Sequence, residues 1–393
     1  MKSGFVITDS DIELPLYTNW VLNVGIESEI TDEKYIFHKY SEDTDFLGIA
    51  NKIREERLDS YCDDGVKVEV KKKVTIKEKE FKRLPVPENQ EELKDVGLLM
   101  CAFFNDDNAR FDAMEKGLEQ LRRLNPMPHI VFYEAGNKPR LEHLFNENDT
   151  YKFIQTTEKN EMLWQKEALF NLMAKENNFK YYIFHDPDIY PQESDWALWV
   201  KKYLEKNEVV LQNGYIVIDT VVENRSRHMY AYKATQTKEF VAASPGGSIA
   251  LSKKFFSELK GWPIFFIAGG GDGAGIHKWA KESRYQNSLL ESCPWWKNAA
   301  EKERIGLADY SFAPYELIHF YHGEYKERGY FWRDILLGWL GINDIENHVS
   351  LGSNGLLEWH NKRKDIIYVL RNKNRLFDRE EALDVFKEAV LNE

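Results

Sequence analysis

The feature that most constrains this chain is a repeated pattern in which a short apolar run is followed by a stretch of helical periodicity. Val96-Gly97-Leu98-Leu99-Met100-Cys101-Ala102-Phe103-Phe104 is continuously apolar, as expected of a strand buried on both faces. Phe111, Met114, Leu118, Leu121 and Leu124 then recur at helical spacing. Further strands are expected from His129 to Tyr133, from Tyr151 to Gln155 and from Tyr181 to His185, with a helix carrying Leu163, Phe170 and Met173 between the last two. Strand–helix alternation of this kind predicts an α/β domain built on a mostly parallel sheet. Ligands of such sheets sit beyond the carboxyl ends of the strands.

At 393 residues the chain suggests one large domain with appended smaller parts, and its 43% hydrophobic content is ample for a core. We expect a small β-rich or mixed module over 1–91, a catalytic domain over 92–331 and a helical extension over 332–393. The 11 Trp and 20 Tyr exceed what a core usually needs, so some are expected to line a carbohydrate or nucleobase site. A formal charge of −12 argues against a non-specific nucleic-acid binder, although local clusters can override it. Three widely spaced cysteines give neither a disulfide framework nor a zinc site, which fits a reducing cytoplasm. No signal peptide or membrane span is expected.

The fourth strand ends in Asp186-Pro187-Asp188. Two carboxylates one residue apart, where a buried strand emerges, can hold a divalent cation carrying a nucleotide diphosphate. The tripeptide pattern recurs at Asp9-Ser10-Asp11 and Asp43-Thr44-Asp45, and only the copy at Asp186 follows a series of βα units. Three downstream motifs supply partners. Pro245-Gly246-Gly247-Ser248 pairs glycines before a strand and a helix starting near Lys253, letting backbone approach a ligand or simply making a turn. Gly269-Gly270-Gly271-Asp272-Gly273 sets a carboxylate in a Gly-bounded loop, where it could take an acceptor's proton. A dinucleotide loop fits that segment poorly, because Asp272 would face a pyrophosphate with the wrong charge. Third, His319-Phe320-Tyr321-His322-Gly323 is followed by Lys326, Arg328 and Tyr330, a candidate metal histidine beside two phosphate-binding cations.

Taken in order, these motifs resemble a GT-A (Rossmann-like, family 2-like) glycosyltransferase group of phages and bacteria, over about Val96 to Arg379. Trp164-Gln165-Lys166-Glu167 and Gly355-Leu356-Leu357-Glu358-Trp359 belong to the same resemblance. It implies a nucleotide-diphosphate sugar donor, UDP-linked by expectation, and Mn2+ or Mg2+ held by Asp186, Asp188 and His322. It further implies donor contacts from Phe103, Phe104, Glu134, Lys166, Asp186, Lys326, Arg328 and Tyr330, an acceptor loop at Gly246, Gly247 and Gly271, and Asp272 as base. A base so placed favours inversion, while a retaining enzyme could use Asp272 to hold its acceptor.

Some members of the group are thought to glycosylate hydroxymethylated pyrimidines in DNA. Eight Lys/Arg against three Glu between Lys67 and Arg83, and the cluster Lys362-Arg363-Lys364 with Arg371, Lys373 and Arg375, would suit phosphate contacts. A lysine-rich edge hairpin that blocks edge pairing is the simpler explanation of the first. Glycan and protein acceptors stay open, as does a non-catalytic sugar- or DNA-binding module. Nucleotidyl transfer is disfavoured, because Phe103-Phe104-Asn105-Asp106-Asp107-Asn108 is acidic and lacks glycine.

Overall fold

The computed structural model describes residues 3–8, 35–40, 93–103, 108–220, 226–236, 244–282, 294–320, 322, 330–342, 344–372, 375–376 and 379–391. The chain divides into two units, Met1–Glu80 with Asn287–Pro294, and Phe81–Gln286 with Trp295–Glu393. In the first, β1 (Ser3–Thr8) pairs antiparallel with β2 (Tyr35–Tyr40). The lysine-rich stretch from Lys67 to Arg83 and the tripeptides at Asp9 and Asp43 lie outside the described residues.

The second unit is a mixed α/β fold. Its strands are β3 (Val96–Phe103), β4 (His129–Gly136), β5 (Thr150–Gln155), β6 (Tyr181–His185), β7 (Ile189–Pro191), β8 (Val210–Gln212), β9 (Ile216–Asp219), β10 (Ser226–His228), β11 (Ser248–Ser252), β12 (Tyr310–Phe312), β13 (Glu316–His319), β14 (Val349–Leu351) and β15 (Leu357–Trp359). Its helices are α1 (Asn108–Leu121), α2 (Lys166–Glu176), α3 (Trp196–Lys206), α4 (Tyr230–Gln236), α5 (Lys253–Glu258), α6 (Gly271–Trp279), α7 (Pro294–Lys302), α8 (Tyr330–Trp339), α9 (Lys364–Arg371) and α10 (Arg379–Leu391). No described helix is long and apolar enough to cross a membrane.

Seven strands form the main sheet in the order β12-β8-β11-β6-β3-β4-β5. It is mostly parallel, as the alternation predicts; only β11 runs against both its neighbours. Alternation along β3 explains its unbroken apolar run. Leu98, Met100 and Ala102 enter one core with Phe111, Met114 and Leu118 of α1 and Trp196 of α3. Leu99, Cys101 and Phe103 enter the opposite core with Leu169, Phe170 and Met173 of α2. A strand covered by helices on both faces has no polar side, so period-two patterning vanishes from its sequence.

A smaller sheet, β10-β9-β13-β7, stands beside the first. The C-terminal stretch combines helices with a β-hairpin rather than being helical throughout, and α8, α9 and α10 pack around Leu336, Val369, Leu376, Ala382 and Val385. Before α9 comes the β14–β15 hairpin, which docks on the start of α2. Gln165 exchanges two hydrogen bonds with the Leu357 backbone, accepting at 2.8 Å and donating at 3.1 Å. Asn160 donates to the Leu357 carbonyl at 2.8 Å, and the Trp359 indole donates to the Glu161 carbonyl at 2.9 Å.

Candidate active site at a corner between two sheets

Asp186-Pro187-Asp188 is the turn that carries the chain from the large sheet to the small one. β6 ends at His185 and β7 begins at Ile189, whose amide donates back to the Asp186 carbonyl at 3.1 Å. Proline suits so tight a turn, since its φ is fixed. On one side the Asp186 amide donates to the Gly247 carbonyl at 2.7 Å, extending the β6–β11 ladder by one step. On the other, the Asp188 carbonyl accepts from the Phe320 amide at 2.8 Å. His185 locks the corner from beneath, bonding Ser248 Oγ at 2.7 Å and the Ile189 carbonyl at 2.8 Å. Burial pushes its pKa down to about 4, so it serves there as a neutral imidazole. Gly117 of α1 packs against the turn so closely that a β-carbon would stand 3.0 Å from Asp188 Cα.

Strand register builds the next layer. β13 sets His319 opposite Ile189 on one flank and opposite Asp219 on the other. Among the described residues, Asp188, His319 and His322 present ligand atoms all within 4.8 Å of one another. His322 Nε2 lies 3.0 Å, and His319 Nε2 3.8 Å, from Asp188 Oδ2. His319 Nδ1 is 2.5 Å from Asp219 Oδ1, which leaves Nε2 as the nitrogen turned to the cluster. A carboxylate behind a histidine is the usual device for fixing the tautomer of a metal ligand. Burial alone would raise the Asp188 pKa; the hydrogen bond from His322 and the charges of both imidazoles outweigh it and hold the carboxyl well below the ordinary range. One carboxylate and two imidazoles, converging in a buried niche, fit a divalent cation.

Asp186, in the same turn, engages a second group. Its Oδ1 pairs at 2.9 Å with Lys166 Nζ, which also pairs at 2.9 Å with Asp272 Oδ1. Lys166 is only 7% exposed. Burial works against its charge, but Asp186, Asp272 and Glu167 outweigh that and raise its pKa well above the ordinary value. Lys166 and Glu167 open α2, and Asp272 lies in the first turn of α6, so two helix starts converge here. Glu167 Oε1 is buried without a hydrogen-bond partner among the described residues. Burial pushes the Glu167 carboxyl up to about 8, with the Asp272 charge adding to this and Lys166 opposing it.

The structure departs from the sequence reading at several positions. Asp272 is helical rather than in a loop, because Gly269 (φ 100°) and Gly270 (φ 85°) turn the chain in the left-handed region immediately before α6. Among the described residues the convergent set adds His319 to Asp188 and His322, while Asp186 pairs with Lys166. Glu134 is 0% exposed and does not face the site. Its carboxylate accepts from the Arg140 and Leu141 amides at 2.8 and 3.1 Å and from the Tyr151 hydroxyl at 2.8 Å, which ties down the chain after β4. Gly246 and Gly271 serve close packing within the protein. A β-carbon would stand 2.6 Å from Asp272 Cγ in the first case and 2.7 Å from Glu167 Cγ in the second. Gly247, at φ 91°, offers its carbonyl to Asp186.

Phe103 is buried, its ring edge-on to Trp164 at 4.9 Å, with the Arg110 guanidinium 5.3 Å from each ring. Both aromatics line a cavity of about 980 Å³ at the ends of β3, β4 and β5, together with Gly136, Thr156, Gln165 and Arg333. Phe104, Lys326 and Arg328 and the side chain of Tyr330 lie outside the described residues. Of the C-terminal cations, Lys362 and Arg371 both pair with Glu161, Arg363 with Asp365, and Arg375 with Glu388.

No family model and no curated protein matches the sequence. Among solved structures, mannosyltransferase PcManGT from Pyrobaculum calidifontis, in complex with GDP-Man and Mn2+, aligns over 80% of this chain and 78% of its own, at 11% identity and a TM-score of 0.39. S. aureus TarS aligns over 75% of this chain at 10% identity and a TM-score of 0.38, and this chain spans about half of it, 49%. GalNAc-T7 with UDP, GalNAc and Mn2+ aligns over 76% of this chain and 54% of its own, at 12% identity and a TM-score of 0.39.

Proposed function

We propose that the chain is a metal-dependent glycosyltransferase that moves a sugar from a nucleotide-diphosphate donor to an acceptor hydroxyl with inversion. The observation that carries this reading is the joining of two functions at one corner. Asp188, His319 and His322 converge as a cation site, and Asp186 of the same turn is tied through Lys166 to Asp272. When bound, a divalent cation supplies Lewis-acid neutralisation of the diphosphate leaving group. Two imidazoles in the donor set favour Mn2+ over Mg2+, which prefers oxygen ligands.

The remaining roles fall to the chain's own groups. Asp272 takes the proton of the acceptor hydroxyl as that oxygen attacks the anomeric carbon, a contribution of about 10²–10⁴-fold to the rate. The cavity beside Phe103 and Trp164 accommodates the donor's nucleoside, offering aromatic surface for the base and Arg333 at its wall. A hydroxymethylated pyrimidine in DNA is the acceptor we favour from the sequence. Four C-terminal cations already have carboxylate partners, so that preference draws mainly on the stretch from Lys71 to Arg83.

The test is nucleotide release from a panel of UDP- and GDP-sugars with Mn2+, Mg2+ or EDTA, followed by nucleoside mass spectrometry of hydroxymethylated DNA and by glycan and protein acceptor screens. Metal-dependent release coupled to an acceptor mass shift is expected. Absence of turnover with every donor and acceptor removes the transferase reading. Turnover without any shift in the DNA removes that acceptor alone.

A further inference from the structure

Lys166 pairs with both halves of this site. Its Nζ stands 2.9 Å from Asp186 on the cation side and 2.9 Å from Asp272 on the acceptor side, and it is buried. Lysines are seldom buried so deeply unless paired. Its backbone is equally fixed, since Gln165 and Asn160 bind the β15 backbone immediately before α2. Asp272 is therefore held from two directions, by Lys166 on Oδ1 and by the bare backbone of Gly246 beneath the carboxylate.

We infer that Lys166 is a positioning residue, which rests on the transferase reading: it holds the Asp272 carboxylate, through Oδ1, in the orientation that receives the acceptor hydroxyl, and couples that placement to the corner that receives the donor. In the transfer step the acceptor O–H proton passes to Asp272, the acceptor oxygen bonds to the anomeric carbon, and the carbon–oxygen bond to the diphosphate breaks with its electron pair leaving on the nucleotide. Lys166 touches none of the reacting atoms. It removes the freedom of the base to rotate away, an orientational contribution of the kind whose loss costs about 100-fold in rate.

The experiment compares Lys166→Met, Lys166→Arg, Asp272→Asn and the Lys166→Met/Asp272→Asn double variant, using crystal structures, Mn2+ binding and kinetics. Crystals of Lys166→Met are expected to show the Asp272 carboxylate displaced from Gly246, with Mn2+ affinity within about threefold of wild type because the cation site is built from other residues. kcat should fall about 100-fold with a much smaller change in donor KM, and Lys166→Arg should recover to within about tenfold of wild type. Because Lys166 acts through Asp272, the double variant should be no slower than Asp272→Asn. An Asp272 carboxylate unmoved in Lys166→Met crystals, or two kcat losses that multiply in the double variant, overturns the inference. If Lys166→Met does not fold, Lys166→Arg decides: a wild-type Asp272 position must accompany its recovered kcat, and recovery with the carboxylate displaced overturns the inference. A wild-type protein inactive on every donor would sink the transferase reading, while the carboxylate position in the crystals would still decide what Lys166 holds.

Discussion

The carboxylate of Asp272 lies so close over Gly246 that a β-carbon on that glycine would stand 2.6 Å from its Cγ. The two residues belong to elements 26 positions apart in the chain, and their contact sets where the proposed base can point. Gly246→Ala is therefore expected to push the carboxylate off Lys166 and to lower kcat by about 10- to 100-fold. The loss in stability should be only about 1–3 kcal/mol, the usual cost of overpacking. Steady-state kinetics alongside a denaturant titration would separate the two effects. Unchanged kcat would mean that Asp272 does not need its present position.

Asp219 is bonded to the Nδ1 of His319 and fixes that imidazole from behind. Asp219→Ala should free that ring and weaken Mn2+ binding by about 10- to 100-fold, as loss of a supporting carboxylate does elsewhere. Calorimetric titration of Mn2+ into the nucleotide-free protein reads this without turnover. Affinity equal to wild type would remove His319 from the ligand set.

Glu167 gives the protein a pH dependence that can be worked out in sign. Its folded pKa, about 8, lies above the ordinary 4.5, so the folded state holds this proton more tightly than the unfolded chain. The stabilisation is full below about pH 4.5 and is lost as pH rises through about 8. Glu167→Gln, which cannot ionise, should unfold at higher denaturant concentration than wild type at pH 9, by on the order of a few kcal/mol, with the gap closing toward pH 5. Parallel denaturation curves at both pH values would show that Glu167 is not held protonated.

Gln165 supplies both hydrogen bonds that pair its side chain with the Leu357 backbone. Gln165→Leu would take its side-chain acceptor from the buried Leu357 amide, at a cost of about 1–3 kcal/mol, while the Leu357 carbonyl keeps the hydrogen bond from Asn160. Because the next residue is Lys166, kcat should fall as well, and amide exchange at Leu357 should accelerate. Exchange at the wild-type rate would mean that the hairpin is held by other contacts.

What could be read from the sequence was whatever is encoded locally. β3 and β6 announce themselves because burial on both faces demands unbroken apolar runs, and β6 spans Tyr181–His185 as expected. The acidic corner follows, since a strand end and a proline turn are local facts. His319 was passed over because its role depends on the register of β13 between β7 and β9, which no local pattern records. Glu134 is ambiguous for the same reason: a carboxylate closing a strand reads alike whether it faces a cleft or accepts from the Arg140 and Leu141 amides, as it does here. The helical start at Asp272 was hidden by glycines, whose poor helix propensity argues for a loop. Here they are needed for left-handed φ and for room beside Glu167.

The turn Asp186-Pro187-Asp188 has a mechanical consequence beyond its ligands. Asp186 is anchored to the large sheet through Gly247, and Asp188 to the small sheet through Phe320. The two carboxylates thus report on different slabs of the protein, joined by a single proline. A substitution that slides one sheet against the other would change their spacing as a calliper does. The proposed cation site and the proposed base would then respond separately to substitutions in the two sheets.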